Sequence, residues 1–176
     1  MASAPKNVVL VGPMGTGKTT IGKLLAKELG YEFIDSDREI EARCGADIPW
    51  IFDVEGESGF RDRETAVLED LIEMPHAVIA TGGGAVVRPV NQAIMMRAGA
   101  IVYLHTSVDQ QYERTRKDRR RPLLQQSDPK AVLERLMAQR EPIYRELADI
   151  IVETDRRKPW SVAREIAKKL KEMVHV

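Results

Sequence analysis

The chain has 176 residues, of which 43% are hydrophobic and 31% are charged, a composition typical of one folded domain and not of a disordered segment. Lys and Arg together number 27, as do Asp and Glu, so no overall charge attracts nucleic acid or an anionic membrane. One cysteine, Cys44, excludes an internal disulfide, and the first apolar run is too short for a signal or a membrane span, so we expect a cytoplasmic location.

Short apolar runs alternate along the chain with segments of helical periodicity. Gly30 marks the end of the first predicted helix, and residues 56–59 divide the second helical segment into two helices. Buried strands joined by crossover helices predict an α/β fold with a parallel, doubly wound sheet, in which ligands bind at the carboxyl ends of the strands. The predicted strands are residues 8–11, 32–35, 77–80, 101–104 and 150–152, and the helical segments are 21–29, 49–74, 91–98, 108–116, 129–147 and 161–173.

The segment after the first predicted strand has the sequence of a Walker A motif. Residues 12–19 read GPMGTGKT and precede a predicted helix, which is the order that this phosphate-binding loop requires. Its glycines allow backbone N–H groups to face phosphate oxygens, and the helix N-terminus adds partial positive charge. Lys18 is placed to reach the β and γ phosphates, and the Thr19 hydroxyl to ligate Mg²⁺. We predict an ATP site containing Gly15, Thr16, Gly17, Lys18, Thr19 and Thr20; the alternative, a flexible glycine-rich turn, is disfavoured by the flanking strand and helix.

Two carboxylates, Asp35 and Asp37, follow the second predicted strand. Many P-loop ATPases hold Mg²⁺ with an acid at the end of a later strand, but here that strand runs into glycines, so Asp35 is the natural replacement. Asp37 is then placed to face an acceptor hydroxyl. The alternative is that Asp37 only caps the helix that follows it.

Three glycines and two arginines predict a site for a substrate carboxylate. The run Gly82–Gly84 removes every side chain after the third strand and lets a ligand approach backbone N–H groups; the alternative is a tight turn, which would need only one or two glycines. Arg61 has Glu64 one turn away to orient it, and Arg140 precedes Pro142, which should disturb its helix. Guanidinium groups bind carboxylates through paired hydrogen bonds, but either arginine taken singly is more often a surface residue.

A mobile loop is predicted at about residues 116–128, where no helical or strand periodicity is visible. This stretch concentrates arginine, including Arg121, as a lid that closes on a transferring phosphate would need. A solvated run of charge is an equally good explanation of the composition alone.

In these segments the chain resembles the shikimate kinases, and the likeness covers nearly its whole length. The matching segments occur in the family's order, namely residues 12–19, 33–37, 59–61, 82–84, 121–124 and Arg140 with Pro142 and Tyr144. The resemblance implies a P-loop NTPase-type, nucleoside-monophosphate-kinase-like fold: a parallel five-stranded sheet flanked by helices, with a helical substrate-binding region at about 37–64 and the lid at 116–128. It also implies ATP-dependent phosphorylation of the 3-hydroxyl of shikimate, in aromatic amino-acid biosynthesis, by a monomer formed from a single domain, residues 1–176.

Roles for individual residues also come from this resemblance. Lys18, Asp37 and Arg121 would be catalytic, and Thr19 and Asp35 would hold Mg²⁺. Arg114, Arg157 and Pro159 would flank the adenine, and Arg121 would also contact the nucleotide. The substrate-binding set would be Asp37, Phe52, Phe60, Arg61, Gly82, Gly83, Gly84 and Arg140.

Two other functions fit parts of the sequence. A kinase of another small metabolite, such as a gluconate kinase, would share the fold, and the glycine triplet and arginines do not identify the ring of the substrate. A regulatory module that binds nucleotide without transfer is the alternative from a different class. The presence of Asp35, Asp37 and Arg121 disfavours it, because a binder alone needs no carboxylate on the acceptor side.

Overall fold

A parallel sheet organises the chain, for which a computed structural model describes residues 5–116 and 128–174. Within those stretches the strands are β1 (Asn7–Val11), β2 (Glu32–Asp35), β3 (Ala77–Ala80), β4 (Gly99–His105) and β5 (Ile150–Glu153). They pair in the order β2-β3-β1-β4-β5, and every neighbouring pair is parallel. The five predicted strands and the parallel sheet are confirmed.

Helices connect the strands and begin and end close to the predicted positions. The predicted break in α3 is confirmed, because Gly56 has φ 73° and ψ 177°, outside the helical region. The expectation for Pro142 is wrong: α6 continues through this residue as one helix. The helices are α1 (Lys18–Leu29), α2 (Ser36–Cys44), α3 (Ile48–Leu71), α4 (Pro89–Ala98), α5 (Val108–Thr115), α6 (Pro129–Leu147) and α7 (Pro159–Val174), with a 3-10 turn at Ala85–Val87.

Helices cover both faces of the sheet, which explains why its central strands are almost continuously apolar. All residues of β1 are buried. Val9 and Val11 pack on the face that is covered by α3, α4 and Tyr144 of α6. Val8 and Leu10 pack on the opposite face, under α1 and α7. Both faces of β1 are therefore sealed by apolar contacts, and the carboxyl ends of the strands are the edge at which a ligand can enter.

β1 lies in the middle of the sheet, with β3 and β2 on one side and β4 and β5 on the other, so the chain adds strands in both directions from β1. Crevices in open parallel sheets form outside the carboxyl ends of the strands at such a switch point. The Walker A loop leaves β1 there. The described parts of the chain contain no helix with the length and hydropathy of a membrane span.

Candidate active site

A cavity of about 290 Å³ lies at the carboxyl ends of β1, β2 and β3. Its volume is close to the lower end of the range for small-molecule sites. It is lined by residues 14–20 of the phosphate loop, by Asp35 and Asp37, by residues 80–83 after β3, and by Arg114 and Thr115 of α5. The six loop residues that the sequence predicted for nucleotide binding all line this cavity.

The phosphate loop has a backbone that glycine makes possible. Gly15 and Gly17 have φ of 80° and 84°, in the left-handed region that other residues rarely adopt, and Gly17 directly precedes α1. The Lys18 ammonium folds back over the loop and donates to the carbonyl oxygens of Gly12 and Pro13, each at 2.7 Å. The start of α1 and the Lys18 side chain line the same cavity, and a helix N-terminus favours the binding of an anion there.

Asp35 is held on two sides. Its Oδ1 accepts from the N–H groups of Asp37 and Arg38, at 3.0 and 3.4 Å, and its Oδ2 accepts from the Thr19 hydroxyl at 3.1 Å. Asp35 is therefore the N-cap of α2, and the alternative that Asp37 caps this helix is wrong. Because the cap belongs to Asp35, Asp37 lies in the first turn of α2 and lines the cavity.

The three glycines after β3 each make room for a functional side chain. A Cβ atom added to Gly82 would lie 2.8 Å from Asp37 Oδ1, and one on Gly83 would lie 3.3 Å from Arg140 Nη1. On Gly84 it would lie 2.2 Å from Arg61 Nη2 and 2.9 Å from Arg140 Nη2. The glycines thus allow one carboxylate and two guanidinium groups to approach the same stretch of backbone, which a simple tight turn would not explain.

The two guanidinium groups differ in what holds them. Arg61 donates from Nη1 to Glu64 Oε1 at 3.0 Å, and Glu64 is fully buried, with its Oε2 lacking a hydrogen-bond partner among the described residues. Burial raises the pKa of Glu64 to about 7, against the opposing effect of the Arg61 charge. Arg140 is only 6% exposed, and burial lowers its pKa. Glu64 therefore orients Arg61, as its spacing in the sequence predicted.

Two aromatic rings adjoin this guanidinium pair. Phe52 and Phe60 have ring centroids 5.0 Å apart, and Arg61 Cζ lies 5.1 Å from the Phe60 centroid. Phe60 is buried in the core, whereas Phe52 is half-buried. Phe52 and Phe60, which were predicted to bind the substrate, are thus next to Arg61. They are not among the described residues that line the cavity.

Of the three residues predicted to flank adenine, the structure places one at the cavity. Arg114 lines the cavity and donates to the Gly15 carbonyl at 2.8 Å. Arg157 instead bonds to Glu165 and Ser161, and neither it nor Pro159 is among the described residues that line the cavity. Arg121 and the predicted lid, apart from its end residues 116 and 128, lie outside the described residues.

Some polar residues of the site were given no role by sequence reasoning, although Tyr144 was among the residues that carry the family resemblance. Tyr144 donates its hydroxyl to the Gly83 carbonyl at 2.5 Å. Gln111 and Thr115 are buried on α5, and both contact the position that a Cβ of Gly15 would occupy. A spacing of four residues puts Gln111 and Thr115 on one face of a helix, which the sequence could have shown. No local pattern indicated the role of Tyr144.

Comparisons with known proteins give consistent results. A family model described as shikimate kinase matches residues 14–171. A shikimate kinase of Hahella chejuensis is 69% identical over 168 residues, covering 96% of this chain and 88% of that protein. The structure of shikimate kinase from Acinetobacter baumannii in complex with shikimate is 46% identical with a TM-score of 0.95, covering 98% of this chain and 96% of that one. A gluconokinase from Sinorhizobium meliloti, at 18% identity and a TM-score of 0.61 over 97% of this chain and 94% of that one, shares the fold alone.

Proposed function

This chain belongs to the shikimate kinase family, and we propose that it transfers the γ-phosphoryl group of ATP to the 3-hydroxyl of shikimate, giving shikimate 3-phosphate and ADP. The observation that carries the proposal is the meeting of Arg61, Arg140 and Asp37 at Gly82–Gly84, beside the cavity that the phosphate loop lines. A rigid acceptor with one carboxylate and several hydroxyls fits such a set of groups. We also propose that residues 1–176 act as one kinase domain.

The phosphate loop supplies most of the nucleotide contacts in this mechanism. Phosphoryl transfer requires alignment of the attacking and leaving oxygens and neutralisation of the charge on the equatorial oxygens. Backbone N–H groups of residues 15–19 bind the β and γ phosphates, and Lys18 leaves its two carbonyl partners to contact the oxygens of the phosphoryl group in transfer. Arg114 donates to the loop from α5 and lines the cavity, so it is available to flank the adenine.

The residues around Thr19 fit a magnesium ion. The Thr19 hydroxyl and the Asp35 carboxylate are already within hydrogen-bond distance, and both offer the hard oxygen ligands that this ion prefers. In the described residues no group of three or more His, Cys, Asp or Glu side chains forms a metal site, which agrees with a cation bound by few protein ligands and by phosphates. When bound, the ion would neutralise charge on the β and γ phosphates.

The acceptor side orients the alcohol. Arg61 and Arg140 bind the acceptor carboxylate, with N–H groups of the glycine run adding hydrogen bonds, and Phe52 and Phe60 border the ring. Asp37 accepts the hydrogen bond of the 3-hydroxyl and turns its oxygen toward the γ-phosphorus. It takes the proton as the bond from this oxygen to phosphorus forms and the bond from phosphorus to the bridging oxygen of the departing ADP breaks. Arg121 would add positive charge from the lid.

One experiment separates the candidate functions. ADP release is measured in a coupled assay with MgATP and shikimate, gluconate or no acceptor. We expect ADP release with shikimate at a rate at least about 10²-fold above that with gluconate or without acceptor, since a missing or misplaced carboxylate leaves buried guanidinium groups unpaired. ADP release only with gluconate would identify the other kinase, and nucleotide binding without any transfer would identify the regulatory module.

The remaining proposals concern the state of the protein in the cell. We propose a cytoplasmic monomer whose partners are ATP and shikimate, without nucleic acid or membrane. Balanced charge and a single cysteine support this assignment. Light scattering of the purified protein at micromolar concentration tests the monomer, and the mass of a dimer would contradict it.

A further inference from the structure

Tyr144 lies one helical turn after Arg140 on α6 and has no role in the mechanism described so far. Its side chain is completely buried. The hydroxyl donates to the carbonyl oxygen of Gly83 at 2.5 Å, and the ring stacks on Tyr103 with centroids 5.0 Å apart. A large, rigid side chain thus connects the sheet core to the middle residue of the glycine run.

The atom that Tyr144 holds is central to the acceptor side of the cavity. A Cβ on Gly83 would lie 3.3 Å from Arg140 Nη1 and 3.5 Å from the backbone N of Met14. The Gly83 backbone is therefore next to both the buried guanidinium and the phosphate loop. Arg140 and Tyr144 line the same small cavity beside Met14. Burial raises the pKa of Tyr144 to about 12, and the positive charge of Arg140 opposes this rise.

Three consecutive glycines need such a support. Glycine has more backbone freedom than other residues, so an unsupported run of three samples many arrangements. Gly83 is half-buried at the edge of the cavity, and the hydrogen bond from the buried Tyr144 hydroxyl restrains its carbonyl group. The carbonyl groups of Gly82 and Gly84 accept from Ala85 and Val87 in the 3-10 turn, whereas Tyr144 holds that of Gly83. Without this bond, the Gly83 backbone and the adjacent Arg140 guanidinium would be less ordered before an acceptor binds.

We propose that Tyr144 is a positioning residue for the acceptor: its hydroxyl fixes the Gly83 backbone and the adjacent Arg140 in the arrangement that binds the carboxylate. This inference rests on the proposed function, since it assigns a support to the same site. It does not place Tyr144 in contact with substrate or with the transferring phosphoryl group.

The test compares two tyrosines that differ in what their hydroxyls hold. Tyr144→Phe removes the bond to Gly83. Tyr103→Phe is the matched control, because Tyr103 is the buried ring stacked on Tyr144 but its hydroxyl bonds to Glu141. For Tyr144→Phe we expect the KM for shikimate to rise about tenfold while kcat and the KM for ATP change less than about threefold. For Tyr103→Phe all three constants should stay within about twofold of wild type.

Thermal denaturation of the apo variants measures how much each substitution lowers the stability of the fold, apart from any change in the KM for shikimate. Both substitutions remove a partly buried hydrogen bond, so both should lower the Tm, and a purely structural role of Tyr144 predicts this loss without a selective rise in the KM for shikimate. A wild-type KM for shikimate in folded Tyr144→Phe overturns the inference. A rise of the same size in Tyr103→Phe overturns it as well, because the effect would then not belong to the bond with Gly83.

A second variant covers the case in which Tyr144→Phe does not fold. Replacing Tyr144 with 4-aminophenylalanine keeps the shape and a weaker donor, so the KM for shikimate should rise less than about fivefold above wild type and exceed it measurably. An unchanged KM in this variant would then overturn the inference.

Wild-type protein that leaves shikimate unphosphorylated would overturn the proposed function together with the inference. Active wild type, with a Tyr144→Phe variant whose KM for shikimate is normal, would overturn the inference alone.

Discussion

Gly84→Ala is the substitution that tests the acceptor site most directly. Gly84 has φ −95° and ψ 1°, which alanine can adopt, so the backbone itself does not oppose the change. The added Cβ would lie 2.2 Å from Arg61 Nη2, 2.8 Å from Arg61 Cζ and 2.9 Å from Arg140 Nη2. All three atoms belong to the ends of flexible side chains, so the fold should survive while the guanidinium groups move.

The size of the effect follows from this displacement. To regain an ordinary contact, Arg61 Nη2 must move by roughly 1 Å, which is enough to misalign a paired guanidinium–carboxylate interaction. Hydrogen bonds to charged groups contribute about 1.5–3 kcal/mol each, so weakening both arginine contacts should cost about 2–4 kcal/mol of acceptor binding. That loss corresponds to a rise in the KM for shikimate of roughly 30-fold to 1,000-fold.

Initial rates of ADP release, measured against shikimate concentration at saturating MgATP, give this KM. Nucleotide binding by the same variant is measured by calorimetry and should remain close to wild type, because Gly84 is outside the residues that line the phosphate cavity. Val87→Ala is a suitable control, since Val87 ends the same 3-10 turn but is 47% exposed. If folded Gly84→Ala kept a KM within threefold of wild type, Arg61 and Arg140 would not be the carboxylate-binding pair.

Three further changes test other parts of the site. Asp37→Asn should lower kcat by about 10²-fold or more with ATP binding retained, because the amide cannot take the proton of the hydroxyl. Glu64→Gln should remove a pH dependence of stability: the pKa of Glu64 is about 7 in the folded protein against 4.5 for an ordinary glutamate, so wild type loses up to about 3 kcal/mol of unfolding free energy as pH rises through this window. Thr19→Val should raise the Mg²⁺ concentration needed for half-maximal activity by about tenfold, because it removes the hydroxyl beside Asp35.

Each of these variants has a result that would contradict the reasoning. Near-normal turnover in Asp37→Asn would remove this carboxylate from the chemistry. Denaturant titrations from pH 4 to pH 8 should show the slope in wild type and in Glu57→Gln, whose side chain is an exposed partner of the same Arg61; a slope retained in Glu64→Gln would assign the titration to another group. An unchanged Mg²⁺ requirement in Thr19→Val would place the metal elsewhere.

The strands, the helices and the phosphate loop could be predicted because their signals are local. The five apolar runs, Gly30 after α1 and the break at Gly56 each follow from the conformational preferences of neighbouring residues. The Walker A residues similarly carry their own geometry, since their glycines adopt left-handed φ values next to a helix start. For the acceptor side, the resemblance to the shikimate kinases indicated Arg61, Arg140 and the glycine run before any contact was known.

Only the tertiary structure decided how those groups meet. The sequence left open whether Asp37 faces the acceptor or only caps α2, whereas the hydrogen bonds assign the cap to Asp35 and leave Asp37 facing Gly82. It expected Pro142 to disturb α6, but packing of the helix on the core keeps it continuous. The bond from Tyr144 to Gly83 joins residues that are distant in the chain, and it depends on the registers of β1, β3 and β4 and on the stacking of two buried rings. Such contacts depend on the packing of the whole sheet, and for this reason no local pattern in the sequence predicts them.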